Sequence, residues 1–234
     1  MRVVVFGANG PTGRLLTIAL LDAGHDAVAV TRHPEELDTH HDHLAVVRAD
    51  ATDPTAVAQV VEGAGAVVSV LGTPYSRRAI TLYSASATAI TQAMAQARVR
   101  RLVVTSSSAV GHWVDPHWSW VERNLARRIL GAIGRTLYDD MRRMEAIVKA
   151  TDLDWTIMRP LGLASLDPPT TYVIAEDHIP GRQTARRDLA AAITDQLQRE
   201  DYHRKTVAVA TTNRSLSIAQ TIWREGIKRN RKKA

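Results

Sequence analysis

Three glycines, Gly7, Gly10 and Gly13, spaced G-x-x-G-x-x-G, stand directly behind the apolar run Val3-Val4-Val5-Phe6. That combination suits a pyrophosphate. Gly7 allows a tight turn off a strand. Gly10 lets backbone N–H groups approach phosphate oxygens with no Cβ in the way, and Gly13 lets the following helix sit close to the sheet. A helix from about Thr12 to Ala23, amphipathic through Leu15, Leu16, Ile18, Leu20 and Leu21, aims its positive N-terminus at the anion. Glycines alone mark many turns; strand, spacing and helix together point to a dinucleotide.

Cofactor choice follows from charge. A site that prefers NAD places Asp or Glu at the end of the second strand, about 20 residues beyond the glycines, to bind the ribose 2′-hydroxyl. This chain has Thr31-Arg32-His33 there. Arg32 can grip a 2′-phosphate that a carboxylate would repel, and Arg14 sits where it can reach the same group. One charge-assisted hydrogen bond contributes roughly 1.5–3 kcal/mol, so Arg32 alone would favour NADP about 10- to 150-fold. Two other constellations carry no chemistry. His40-His41-Asp42-His43 lacks a regular metal-ligand spacing, so no metal is expected. Ser106-Ser107-Ser108 with His112 closes an ordinary strand and has no G-x-S-x-G elbow.

The elements that must position these residues alternate. Strand-like runs fall at Asp26–Thr31, Leu44–Arg48, Ala66–Leu71, Arg101–Ser106 and Trp155–Arg159. Helical patterns follow Asp53-Pro54, with Asp53 or Thr52 as cap and Gly63 as stop, and run from about Ala79 to Ala97 and from Tyr138 to Ala150. Such alternation predicts an α/β fold, a Rossmann-type doubly wound parallel sheet in a single domain, with the ligand at the carboxyl ends of the strands. With 234 residues, 45% of them hydrophobic, the chain can hide roughly 70–75% of its unfolded surface around one core. It has no cysteine, no signal-like leader and no uninterrupted apolar span, which predicts a cytoplasmic protein.

The net charge of +6 is concentrated at the end of the chain. From Arg224 to Ala234 there are six positive residues and one acid, a surplus of five that leaves about +1 for the preceding 223 residues. A DNA-reading domain would carry its basic face on the fold itself, so no nucleic acid is expected. Residues 1–212 are read as the domain with its substrate pocket and 213–234 as a basic C-terminal helix or tail. That tail is either a solvated extension or a contact for an acidic partner or a membrane surface.

The chain resembles an atypical short-chain dehydrogenase/reductase of the NAD(P)H-binding, NmrA-like group, nearest the small flavin reductase/biliverdin reductase B type. The likeness covers residues 1 to about 212. It rests on Gly7-Ala8-Asn9-Gly10-Pro11-Thr12-Gly13, Arg48-Ala49-Asp50-Ala51-Thr52-Asp53, Val70-Leu71-Gly72-Thr73, Val103-Val104-Thr105-Ser106-Ser107-Ser108, Leu153 to Pro160 and Arg186-Arg187-Asp188-Leu189-Ala190. The resemblance implies a cofactor site of Gly7, Asn9, Gly10, Pro11, Thr12, Gly13, Arg14, Arg32, Asp50, Ala51, Leu71, Gly72, Thr73 and Pro160. In it Asp50 accepts from the adenine amino group; otherwise it is a turn or capping acid. Leu71, Gly72 and Thr73 would lie beneath the nicotinamide ribose and Pro160 beside the carboxamide; otherwise they are loop punctuation.

For catalysis, standard members of the superfamily protonate a carbonyl with Tyr-x-x-x-Lys. Here the matching residues are Tyr138-Asp139-Asp140-Met141-Arg142, and an arginine cannot take part in proton relay. Tyr138 is therefore either an acid or a helix residue, while Ser108, aligned with the family's active-site serine, would hydrogen-bond the substrate or a water. Between them lie His112, Trp113, Trp118 and Trp120, then Leu125, Ile129, Ile133 and Leu137 every four residues. In the small reductases this region borders the substrate pocket, so Trp113 would stack on a planar substrate; core packing, a dimer face or a lipid-surface helix are its other readings. The implied function is NADPH-dependent hydride transfer to a small planar acceptor such as a flavin or quinone, by a monomer or homodimer. A redox sensor that binds NAD(P)(H) without turnover is the alternative, and a sugar epimerase or dehydratase a third.

Overall fold

The valine-rich runs form strands because β-branched side chains pack well on a pleated surface and lose little there. In the computed structural model, which describes residues 1–111, 134–166, 170–181 and 183–212, they are β1 (Arg2–Phe6), β2 (Asp26–Thr31), β3 (Leu44–Arg48), β4 (Ala66–Ser69), β5 (Arg101–Thr105) and β6 (Asp154–Pro160). Helices α1 (Pro11–Asp22), α2 (Pro54–Val61), α3 (Leu82–Ala97) and α4 (Arg135–Lys149) connect them. Beyond β6 come β7 (Gly162–Ala164), β8 (Tyr172–Glu176), β9 (Gln183–Ala185), α5 (Arg186–Gln196) and β10 (Lys205–Thr211).

Eight strands form one sheet in the order β3-β2-β1-β4-β5-β6-β10-β8, and β7 pairs with β9 in a small separate ladder. All pairings in the large sheet are parallel except β10 with β8. The expected doubly wound parallel sheet is present, with β8 returning antiparallel at one edge. Strand order reverses between β1 and β4, and that switch point is where a doubly wound sheet opens a crevice at its carboxyl ends.

Successive strand residues face opposite sides, so one sheet supports two cores. Val4, Phe6, Val67, Leu102 and Ile157 pack under α2, α3 and α4. Val3, Val5, Val68, Val103 and Met158 pack under α1 and α5 through Leu16, Leu20, Leu189 and Ile193. Both faces being covered, the strands read as continuous apolar runs rather than as alternating ones.

Helix starts deserve local accounts. Pro54 occupies the first turn of α2, and the Asp53 carboxylate, not Thr52, accepts from Thr55 N at 2.9 Å and Ala56 N at 3.3 Å. The helix expected from Ala79 begins at Leu82, and no local side chain caps it. Instead Asp140 of α4, fully buried, accepts from Tyr83 N at 2.8 Å and from the Ser84 hydroxyl, with Arg143 at 3.1 Å. The α4 helix begins at Arg135, three residues before Tyr138.

Candidate active site

The turn between β1 and α1 is built on two collisions avoided. Gly7 has φ +86°, and a Cβ there would lie 2.9 Å from the Val70 carbonyl at the end of β4; a Cβ on Gly13 would lie 2.2 Å from the Gly7 oxygen. These two glycines are demanded by the protein's own packing. Gly10 differs: its Cβ would meet only the Gly7 oxygen, at 3.3 Å, and Gly72, across the switch point, has nothing within 4 Å. The open side of Gly10 adjoins the N-terminus of α1, which has Pro11 in its first turn, no side-chain cap and no acid. Backbone amides of Thr12 and Gly13 therefore start the helix without a capping carboxylate, as an anion site requires. The cradle fits a dinucleotide pyrophosphate, with Gly10, Pro11, Thr12 and Gly13 as the residues that would hold it.

Around the ribose position the charges are arranged in pairs. Arg14 donates from Nε to the Asn9 carbonyl at 3.1 Å and also bonds the Asn9 side chain and the Glu36 carbonyl. Asn9 Nδ2 in turn donates to the Glu36 carboxylate at 2.7 Å. Arg14 is thereby fastened to the short turn Pro34–Glu36, while Arg32 is exposed and close enough to Asp50 to help hold its carboxyl below the ordinary range. The larger causes of that lowering are the backbone and side-chain hydrogen bonds from Thr52, at 2.8 and 2.7 Å to one oxygen. One Asp50 oxygen thus serves its own turn, and the nearby Ala51 is buried in the core. Arg48 pairs with Glu35 at 2.8 Å and donates to the Arg32 carbonyl at 2.9 Å. Glu35, Glu36 and Arg48 had no marker in the sequence, since their convergence depends on the turn after β2.

The carboxyl end of β4 passes through Leu71, Gly72 and Thr73 into a loop tied to α4. Thr136 donates to the Ser76 carbonyl at 2.7 Å, Arg143 to the Ile80 carbonyl at 3.0 Å, and the Tyr75 and Tyr138 hydroxyls lie 3.1 Å apart. Burial, then Tyr75, raise the pKa of Tyr138 well above its ordinary value, with only the Ser107 hydroxyl lowering it. Arg142, the residue in the lysine position, pairs with Asp139 at 2.5 Å. Burial thus favours the protonated form of Tyr138 in the cofactor-free protein. Ser107, not Ser108, is the serine beside it. Adjacent serines at a strand end point in different directions, which sequence position alone does not resolve.

Ser108 instead lines a cleft of about 430 Å³ with Gly111, Arg159, Leu161, Asp177, His178, Ile179 and Ala208. Behind its wall Glu145, 3% exposed, accepts from Ser106 at 2.7 Å and takes Arg159 on both oxygens, Nε at 2.9 Å and Nη2 at 2.6 Å. Lys149 lies 3.3 Å from the same carboxylate. Burial raises the Glu145 pKa, but Arg159, Ser106 and Lys149 together outweigh it and leave the group below its ordinary value. Pro160, buried as the last residue of β6, pairs in register with Val209.

Trp113, His112, Trp118 and Trp120 lie outside the described residues, as does the basic segment 213–234. Among the described residues no three His, Cys, Asp or Glu side chains gather as a metal site; His43 bonds Asp26 at 2.7 Å and His40 the Asp38 carbonyl at 3.2 Å. Nor is any described helix long and apolar enough to cross a membrane.

A doubly wound sheet with an anion-ready glycine turn at its switch point defines a Rossmann-type dinucleotide-binding protein. The chain belongs to the NAD(P)H-binding family whose model matches residues 7–200. Relatives include a UPF0659 protein of Schizosaccharomyces pombe, 28% identical over 68% of this chain and 70% of that protein. An uncharacterized Mycobacterium tuberculosis protein is 29% identical over 82% of this chain, which spans only 23% of its length. Among solved structures, a Veillonella parvula short-chain dehydrogenase/reductase in complex with NADP is similar at TM-score 0.73 and 18% identity, over 91% of this chain and 95% of that one. The Lactococcus lactis oxidoreductase ylbE is similar at TM-score 0.73 and 18% identity, over 95% of each chain.

Proposed function

We propose that the protein is an NADPH-dependent oxidoreductase that reduces a small planar acceptor seated in the cleft beside Ser108. The observation that supports this reading is that the glycine turn follows β1, while Ser108 and Leu161 of the cleft follow β5 and β6, so both lie towards the carboxyl ends of parallel strands of one sheet, and the cleft is of a size that holds a small organic molecule. The bound cofactor supplies a hydride. The chain's own part is to position: Gly10 and the α1 N-terminus hold the pyrophosphate, Arg32 reaches the 2′-phosphate, and Ser108 hydrogen-bonds the acceptor. The balancing proton comes from water at the cleft mouth, because Tyr138 holds its own too firmly.

That firmness also favours a second reading, a redox sensor that binds the cofactor without turnover. It weighs against an epimerase or dehydratase, which needs a tyrosine able to exchange its proton. NADPH oxidation measured against flavins, quinones and carbonyls separates these readings. We expect turnover with a flavin or quinone, NADPH bound at least tenfold tighter than NADH, and that preference lost in Arg32→Ala. Tyr138→Phe should lower the rate less than about tenfold, short of the 10²–10⁴-fold of a lost general acid. No turnover with any acceptor despite tight NADPH binding establishes the sensor, and equal cofactor affinities remove the role of Arg32.

A further inference from the structure

We propose that Arg159 is the carboxylate-recognising residue of the cleft, so that the acceptor is a planar molecule bearing a carboxylate. The proposal rests on the reading of this cleft as the acceptor site. A guanidinium has five N–H donors in a planar fork. Glu145 occupies the edge formed by Nε and Nη2. The other edge, Nη1 with the second Nη2 hydrogen, is left for a second bidentate partner, and no described residue accepts from Nη1. Arg159 and Gly111 both line the cavity, and Nη1 lies 2.7 Å from where a Cβ on Gly111 would stand. Glycine at 111 is what leaves room for the guanidinium there.

The charge balance points the same way. Glu145 faces two cations, Arg159 and the partly exposed Lys149, whose side chain is 42% accessible, so the one carboxylate is shared between two positive groups. The Arg159 side chain is 15% exposed, and screening at such a site is weaker than at the surface. Asp177, which also lines the cleft, is solvent-exposed beside His178, where water weakens its field. A neutral carbonyl can accept from the Nη1 edge only through one uncharged oxygen; a carboxylate satisfies it with two parallel, charge-assisted hydrogen bonds. Because Glu145 already fixes the guanidinium plane, the acceptor finds the fork oriented.

The test titrates the NADP⁺-loaded protein with benzoate and with benzamide, its neutral counterpart, by ligand-observed NMR. Benzoate should bind at least tenfold tighter. The preference should vanish in the double variant Arg159→Gln/Glu145→Gln, which removes both charges of the pair together, and should weaken in Gly111→Ala, whose methyl presses on Nη1. In the wild type, benzoate should shift the Arg159 guanidinium carbon resonance, a readout that needs no variant to fold. Equal binding of the two probes, binding of neither, or an unmoved Arg159 resonance overturns the proposal. A benzoate preference in a protein that oxidises no NADPH upholds the carboxylate site while overturning the oxidoreductase reading.

Discussion

Residues with the same identity do different work at this site, and the glycines make the clearest case. Gly13 is needed by the fold, since its Cβ would stand 2.2 Å from the Gly7 oxygen; Gly10, extended at φ −69° and ψ 162°, faces space that a ligand would fill. Gly13→Ala should therefore lower the melting temperature, whereas Gly10→Val should keep the fold after a small adjustment and lose NADPH binding. Thermal melts with fluorescence titration of NADPH check both. A folded Gly10→Val with undiminished affinity would mean that the turn serves only the backbone. The G-x-x-G-x-x-G spacing was legible in the sequence, but this division of labour was not, because it depends on how closely β4 approaches the turn. Arg159 and Glu145 were equally illegible as a pair, lying 14 residues apart on different elements.

β1, β2, β4, β5 and β6 could be read from the chain because their apolar runs are largely buried on both faces, and β3, a partly exposed edge strand, through its Leu44-Ala45-Val46-Val47 run. Of the later strands, β8 and β9 are hard to read for a physical reason, whereas β10 is a buried apolar run that composition could have marked. β9 buries Gln183 and Thr184, polar residues, and β8 is a half-buried edge whose Val173 is 43% exposed. Thr184 earns its place by hydrogen bonds, accepting from Leu161 N at 2.9 Å and donating to the Val209 carbonyl at 2.5 Å, which a hydrophobic pattern does not register. The cap of α3 was hidden likewise, since Asp140 comes from another helix. Asp140→Asn should weaken charge-assisted bonds to two residues of the first turn and to Arg143, costing on the order of 2–3 kcal/mol. For a domain of this size that is roughly a 5–10 °C loss in Tm, measurable by circular dichroism; an unchanged Tm would make the cap dispensable.

At the scale of the whole molecule, stability should depend on pH through His25. Its ring is 4% exposed and neither nitrogen has a partner among the described residues. Burial, then the N-terminal ammonium, lower its pKa below the ordinary 6.5, against a smaller opposing pull from Asp26. The unfolded chain therefore binds the extra proton more readily below about pH 6.5, so stability is retained above that pH and lost as pH falls through the lowered folded value. Urea unfolding at pH 7.5 and 5.5 should show a drop for the native protein and a smaller one for His25→Leu. Equal drops would assign the effect to other groups.

Because strand order reverses between β1 and β4, the proposed cofactor grip and the cleft fall on different halves of the sheet. Everything proposed to grip the phosphates and the 2′-position lies on the β1–β3 side; the cleft lies on the side of β5, β6 and β10. Substitutions at Ser108, His178 or Ile179 leave the glycine turn and the Arg14–Asn9–Glu36 clasp untouched. On the proposed reading, changes that re-shape the acceptor cleft can be made without disturbing the residues that grip the cofactor.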